Sequence, residues 1–191
     1  MLKNRLERNQ SYINCQEVEA NQFTNTKKLV LGSVLATIAA LFQSVGVVVG
    51  IGYTFSILAT LPIVLSAMIS LRIGIMSYMI TILLLTILQP SELLVFSFTT
   101  GLLGISLGAA FKWWNHWIMV SLVGGIGLTL GILTLLYVLQ FPVLGPSVSR
   151  TVDFKMAALI LVFSLFYSSF WTGLSKKVFK IFFREKGVPN R

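Results

Sequence analysis

Residues 54–88 read "TFSILATLPIVLSAMISLRIGIMSYMITILLLTIL", interrupted by a single charge, Arg72. As one α-helix these 35 residues would be about 52 Å long at 1.5 Å per residue. The hydrocarbon layer of a bilayer is about 30 Å thick, and about 20 apolar residues cross it. The stretch therefore has to fold back on itself. "SLRIG", Ser70 to Gly74, is the expected place, with Arg72 for the interface and Gly74 for the turn. Two spans follow, at 54–71 and 73–88.

The same reading extends in both directions. Leu29 to Val49 is an apolar run of spanning length, and Gly50 to Tyr53 make a short turn after it. Leu93 to Phe111 is a fourth span, Ile118 to Leu139 a fifth and Met156 to about Leu174 a sixth. "KWWNHW" (112–117) between the fourth and fifth has the aromatic and basic character of a membrane interface. The tail "KKVFKIFFREK" mixes Lys and Arg with Phe and Ile, as a helix lying on an anionic surface does.

Composition agrees. Of 191 residues, 55% are hydrophobic and 11% charged, against about 25% charged in soluble domains. A water-soluble core of this size could not hide that much apolar surface, so the solvent is lipid. The net charge of +9 does not point to nucleic acid, because the basic residues lie in the tails and in short gaps between apolar runs. With six spans, all but two of the 15 Lys and Arg residues fall on one side; Arg150 and Lys155 are the exceptions. The positive-inside rule then puts both termini in the cytoplasm of a cell-membrane protein. The organisation is a polar N-terminal tail (1–28), a six-helix all-α transmembrane bundle (29–175) and a basic amphipathic tail (176–191). Cys15 is the only cysteine, so no intrachain disulfide forms. The first apolar run exceeds the roughly 7–15 residues of a signal-peptide core, so no removable signal is expected.

Reactive chemistry is sparse. "GISLG" (104–108) matches the G-x-S-x-G pattern, but that motif needs a strand-to-helix turn and here lies inside a span. His116 is the only histidine, and no His, Cys or carboxylate cluster has metal-ligand spacing. No phosphate-binding loop is present. Arg72, Glu92 and Lys112 fall at span ends rather than at mid-membrane positions expected of a pump. Neither an enzyme nor a resident cofactor or metal is expected.

The outer face is more informative. Glu92, in "QPSEL" (89–93), is the only acid between Glu19 and Asp153. Gln43 lies near the outer end of the first span, Tyr53 in the turn after it, Gln89 and Glu92 before the fourth, and Tyr137 at the end of the fifth. Arg150 and Asp153 belong to the long 140–155 loop. Each has a plain explanation: Ser91 suits an N-cap, Glu92 suits a helix N-terminus, and Arg150 could pair with Asp153. Together they set polar groups of both signs and aromatics around one mouth, as a small-molecule pocket between helices requires.

Small residues mark helix faces. Gly32, Ala36 and Ala40 recur every four residues on the first span; Gly104 and Gly108 do so on the fourth, and Gly127 and Gly131 on the fifth. The glycine pairs suit packing within the bundle, whereas the first stripe could equally serve a partner protein.

With "ATIAA" (36–40) on the first helix and "FTTGLLGISLG" (98–108) on the fourth, the chain resembles the substrate-binding (S) components of energy-coupling factor (ECF) vitamin transporters. These are small basic membrane proteins of six helices with both termini inside. The likeness covers about residues 29–175, with "SLRIG" where the family often has Gly-Pro and no fingerprint of a substrate subgroup. It implies a solute-binding subunit for uptake of a vitamin-like molecule from outside, powered by partners. The face carrying Ala36 and Ala40 would dock on a transmembrane T component that is driven by two ATPase subunits. The alternative is a non-transporting membrane scaffold or assembly partner.

Overall fold

The computed structural model describes residues 25–48, 56–114, 116–140 and 154–184. Among them every element is helical. Helix α1 is Asn25–Val48, α2 Thr60–Ile69, α3 Leu71–Leu88, α4 Pro90–Phe98, α5 Thr100–Trp113, α6 Trp117–Leu133 and α7 Phe154–Arg184. A single π turn, Thr134–Val138, extends α6. Five segments are long and apolar enough to cross a membrane: Asn25–Val45, Leu71–Leu88, Pro90–Trp113, Trp117–Val138 and Phe154–Ile181.

The fold-back lies where the sequence places it, but not through the residue expected. Ser70 alone breaks the helix, in an extended conformation with φ −162° and ψ 133°. Arg72 is exposed in the first turn of α3. Gly74 is inside α3, and a Cβ there would lie 2.5 Å from the Cα of Ala67. Gly74 therefore permits α2 and α3 to touch rather than making the turn.

Helix α2 is the centre of the bundle. Thr60, Ile63, Val64 and Ser66 are completely buried, and α2 packs on α1, α3, α5 and α7. Ala67 is clamped from both sides, since a Cβ on Gly108 of α5 would also collide with it. The helical segment around α2, Ser56–Ile69, is shorter than a span, and a turn at Ala59 interrupts it. Pro62 explains the interruption: it has no N–H to give to the carbonyl four residues back, at Leu58. A helix enclosed by protein need not match the lipid thickness, because its backbone groups never face lipid.

Contacts along the helices fix their directions. Ser77 donates to the Gly32 carbonyl at 2.9 Å and Thr81 to that of Ala36 at 3.2 Å, so α1 and α3 run parallel. Gly104 meets Ile63 and Gly108 meets Ala67, so α5 runs with α2. On α6, Gly124 meets Leu107 and Gly131 meets Leu102, so α6 runs against α5. Ser168 donates to the Ser121 carbonyl at 2.8 Å while Gly125 meets Leu165, so α7 runs against α6. Lys27, Lys28, Arg72, Lys112, Lys176 and Lys177 consequently share one end of the bundle. Gln43, Glu92, Tyr137 and Lys155 share the other.

The outer surface is apolar. Leu83 and Ile87 of α3 and Phe163, Phe166 and Phe170 of α7 are all exposed, Phe166 by 75%. A soluble monomer rarely shows such continuous apolar area; lipid is its natural neighbour. Inside, Leu103, Leu107, Val120 and Trp171 form one core, and Ala59, Ile63, Leu85 and Phe96 another. At the basic end Phe111 lies under the Lys176 ammonium, 5.6 Å from ring centroid to nitrogen. Helix α7 runs unbroken from Phe154 to Arg184. No helix end separates the sixth span from the basic tail. At 1.5 Å per residue α7 is about 46 Å long, longer than the apolar layer of about 30 Å.

Candidate functional site

The residues expected at the outer mouth converge in part. Gln43 on α1 is completely buried. Its Nε2 donates to Glu92 Oε2 at 2.8 Å, and its Oε1 accepts from Thr100 Oγ1 at 3.3 Å. Three helices meet at one carboxamide. Glu92 is half-buried. Gln43 therefore carries a charge-assisted hydrogen bond on one side and a neutral one on the other.

Local sequence builds this junction. Pro90 opens α4 at its first position, with Gln89 as the N-cap and no side-chain capping bond. Proline suits that position because its fixed φ is helical and its missing N–H is not needed. The helix thus begins one residue before the Ser91 cap expected from sequence. Glu92 falls in the first turn, where unpaired N–H groups favour a carboxylate. At the far end of α4, Thr99 leaves helical geometry with φ −114° and ψ −88°. Its hydroxyl bonds the Val95 carbonyl. The kink separates α4 from α5 and sets Thr100, buried, against Gln43. Beneath lie Phe96 and Tyr78, stacked at 5.8 Å, with the Tyr78 hydroxyl donating to the Ser97 carbonyl at 2.9 Å.

The other expected residues stand apart from this cluster. Gln89 turns back on its own loop, its Nε2 donating to Ser91 Oγ at 3.4 Å. Tyr137 lies in the π turn, on which α4 packs. Its hydroxyl is buried and has no partner among the described residues. π turns are often found at functional positions. Tyr53, Arg150 and Asp153 lie outside the described residues.

The small-residue stripe on α1 needs correction. Ala36 and Ala40 have no exposed surface, and Gly32 is buried against Ile73 and Ser77 of α3. A Cβ on Gly32 would lie 2.5 Å from Ile73 Cγ2. The stripe seats α3 within the chain, because small residues and Ser or Thr hydroxyls let two backbones approach closely. It is not available as a docking face for a partner. The pairs on α5 and α6 also pack internally, as the sequence suggests: Gly104 on Ile63, Gly127 on Ser106 and Gly131 on Phe98.

"GISLG" is ordinary helix within α5, its Ser106 side chain lying against Gly127. His116 is exposed beyond the end of that helix. Among the described residues no three His, Cys, Asp or Glu side chains gather in a way that could hold a metal.

Thr100 is the neighbour of Gln43 that sequence reading missed. A threonine within an apolar run carries no outward sign of its partner. A second missed feature is a polar stripe on α7. Ser164, Ser168 and Thr172 recur every four residues and are fully buried, as are Trp171 and Ser175. Ser168 and Thr172 bond to Ser121 of α6. Ser164 Oγ and Ser175 Oγ have no partner among the described residues, whereas Trp171 and, on α2, Thr60 face the Tyr167 hydroxyl. The four-residue spacing was visible in the sequence and marked this helix face. Comparison of the chain with protein-family models, curated proteins and solved structures finds no match.

Proposed function

We propose that this chain is an integral membrane subunit that binds a small, vitamin-like solute at the end of the bundle carrying Glu92. In this reading six helical segments traverse the cell membrane, α2 included. The basic end with both termini faces the cytoplasm, following the positive-inside rule. The Glu92 end faces outward. Transport is driven by partner subunits of the T-component and ATPase kind, engaged through a face other than Gly32, Ala36 and Ala40.

The observation that carries the reading is the junction of Gln43, Glu92 and Thr100. Residues 49 and 57 positions apart in sequence bring a carboxylate, a carboxamide and a hydroxyl together. Glu92 is the only acidic side chain among the described residues. Its carboxylate is half-buried, and a ligand N–H or cationic group would find an oriented acceptor there. The competing explanation is that the cluster only locks α1 to α4 and α5.

One experiment separates the two. The chain is purified in mild detergent, retained small molecules are identified by mass spectrometry, and melting is followed against a panel of vitamins. Solute binding predicts a retained compound that raises the melting temperature, with affinity lowered in Glu92→Gln and in Arg150→Ala. A lock predicts that Glu92→Gln lowers stability equally with and without every compound. That second outcome, with no compound raising the melting temperature, rejects the proposal in favour of a non-transporting scaffold.

A further inference from the structure

At the opposite end of the bundle, α1 and α3 frame an open apolar groove of about 250 Å³. Leu29, Val30, Met76 and Ile80 form its walls, all exposed. Its floor is where Gly32 lies against Ile73 and Ser77. Because Gly32 has no side chain, the two helices meet closely below and leave a furrow above.

The mouth of this groove is basic. Lys27 precedes Val30 by three residues, Lys28 precedes Gly32 by four and Arg72 precedes Met76 by four. Each therefore lies one turn beyond a groove residue on the same helix face. Lys27 and Arg72 are exposed, and Lys28 is half-buried. The parallel course of α1 and α3 brings both helix N-termini to this mouth, and each N-terminus carries partial positive charge. Neither first turn holds an acid. The one acidic side chain among the described residues, Glu92, is at the far end. Three cations and two helix N-termini thus crowd above an apolar furrow with no described carboxylate to balance them.

We propose that this groove binds an anionic phospholipid, with one acyl chain in the furrow and the phosphate held by Lys27, Lys28 and Arg72. The charge pattern selects this occupant. A neutral transmembrane helix would fill the furrow but leave the basic mouth unbalanced. A free anion would meet the cations but leave Leu29, Val30 and Met76 uncovered. An amphiphile with a negative head satisfies both. Long basic side chains reach the headgroup level while their stems lie on apolar surface. The site is independent of solute binding at the Glu92 end.

The test uses the full chain in phosphatidylcholine vesicles containing a minor share of phosphatidylglycerol. The protein is extracted in mild detergent and its retained lipids are measured by mass spectrometry. The expected result is enrichment of phosphatidylglycerol over its share in the vesicle. Removing a basic residue should lower that preference by about fivefold per charge, so K27Q/K28Q/R72Q should abolish the enrichment. Ser33→Phe, which fills the furrow from an exposed position without touching the cations, should abolish it too. K112Q/K177Q removes exposed charges at the same end but off the groove and should keep it. Inorganic phosphate, added to the protein in detergent, should not raise the melting temperature as phosphatidylglycerol does. Retained lipid that matches the vesicle composition overturns the proposal. So does enrichment that survives both groove variants, and so does equal stabilisation by inorganic phosphate.

Discussion

Removing the Gln43 side chain tests the geometry of the Glu92 end most directly. Gln43→Leu keeps nearly the same volume, so little cavity or strain term should enter. What is lost is the 2.8 Å bond to Glu92 and the 3.3 Å bond to Thr100. A hydrogen bond to a charged group contributes about 1.5–3 kcal/mol in soluble proteins. Side-chain bonds between membrane helices average about 0.6 kcal/mol and reach about 1.7, because the separated helices find other partners. Gln43 is fully buried and its acceptor is a carboxylate, which argues for the upper part of that range. The half-exposure of Glu92 argues against exceeding it. The Thr100 bond is longer than the usual range of about 2.5–3.0 Å for an O–H···O bond and adds less. The expected coupling between Gln43 and Glu92 is therefore about 1–2 kcal/mol. It is read from a double-mutant cycle of wild type, Gln43→Leu, Glu92→Leu and the double variant. Each is unfolded by titrating sodium dodecyl sulfate into mixed micelles, with tryptophan fluorescence as the signal. Distant, independent sites add within about 0.3–0.5 kcal/mol. A coupling inside that margin would refute the strong charge-assisted bond argued for this pair, and the proposed binding mouth would lose its centre.

The same titration checks the packing. Gly173 has nothing within 4 Å of where a Cβ would stand, so Gly173→Ala should stabilise α7 by about 0.5–1 kcal/mol. Gly108→Leu drives a side chain into Ala67 at the middle of the bundle and should cost about 1–3 kcal/mol or more. Ser168→Ala removes a bond to the Ser121 carbonyl and should cost about 1 kcal/mol. Ser164→Ala removes a buried hydroxyl with no described partner and should be neutral or stabilising; equal losses at both positions would contradict the hydrogen-bond pattern. For orientation, Cys15→Ser gives a background without cysteine. Arg72→Cys should then react with a membrane-impermeant maleimide only from the cytoplasmic side and Gln140→Cys only from outside, and the reverse pattern would invert the topology.

The parts of this molecule that were legible in its sequence are those that depend on one dimension. A run of apolar residues has a length, and the bilayer has a thickness, so residues 54–88 had to fold back. The residue that does so was less legible. Glycine is the usual mark of a turn, yet Gly74 sits within a helix and Ser70 makes the break. A one-residue link between two helices asks only for an extended conformation, which any residue adopts. Gly74 is needed for a different reason, the approach of Ala67, and that neighbour becomes visible only in three dimensions.

The same limit explains both the stripe and the site. Periodicity identifies a face of a helix but not what covers it. Gly32, Ala36 and Ala40 make a smooth face on α1, and nothing in their spacing distinguishes a partner protein from α3 of the same chain. Ser77 and Thr81 do carry the answer, since their hydroxyls reach the Gly32 and Ala36 carbonyls, but only once α1 and α3 are known to run parallel. That parallel course has a further consequence. It carries the N-terminal ends of α1 and α3, with their lysines and arginine, to one end of the bundle. It carries Gln43 toward the start of α4 at the other. The charge asymmetry read from the sequence and the Gln43–Glu92 contact thus follow from one packing event, the seating of α3 on the small-residue face of α1. Gly32→Leu would separate the two helices at their closest approach. The two ends should therefore fail together, with weaker Gln43–Glu92 coupling at one and a distorted lipid groove at the other.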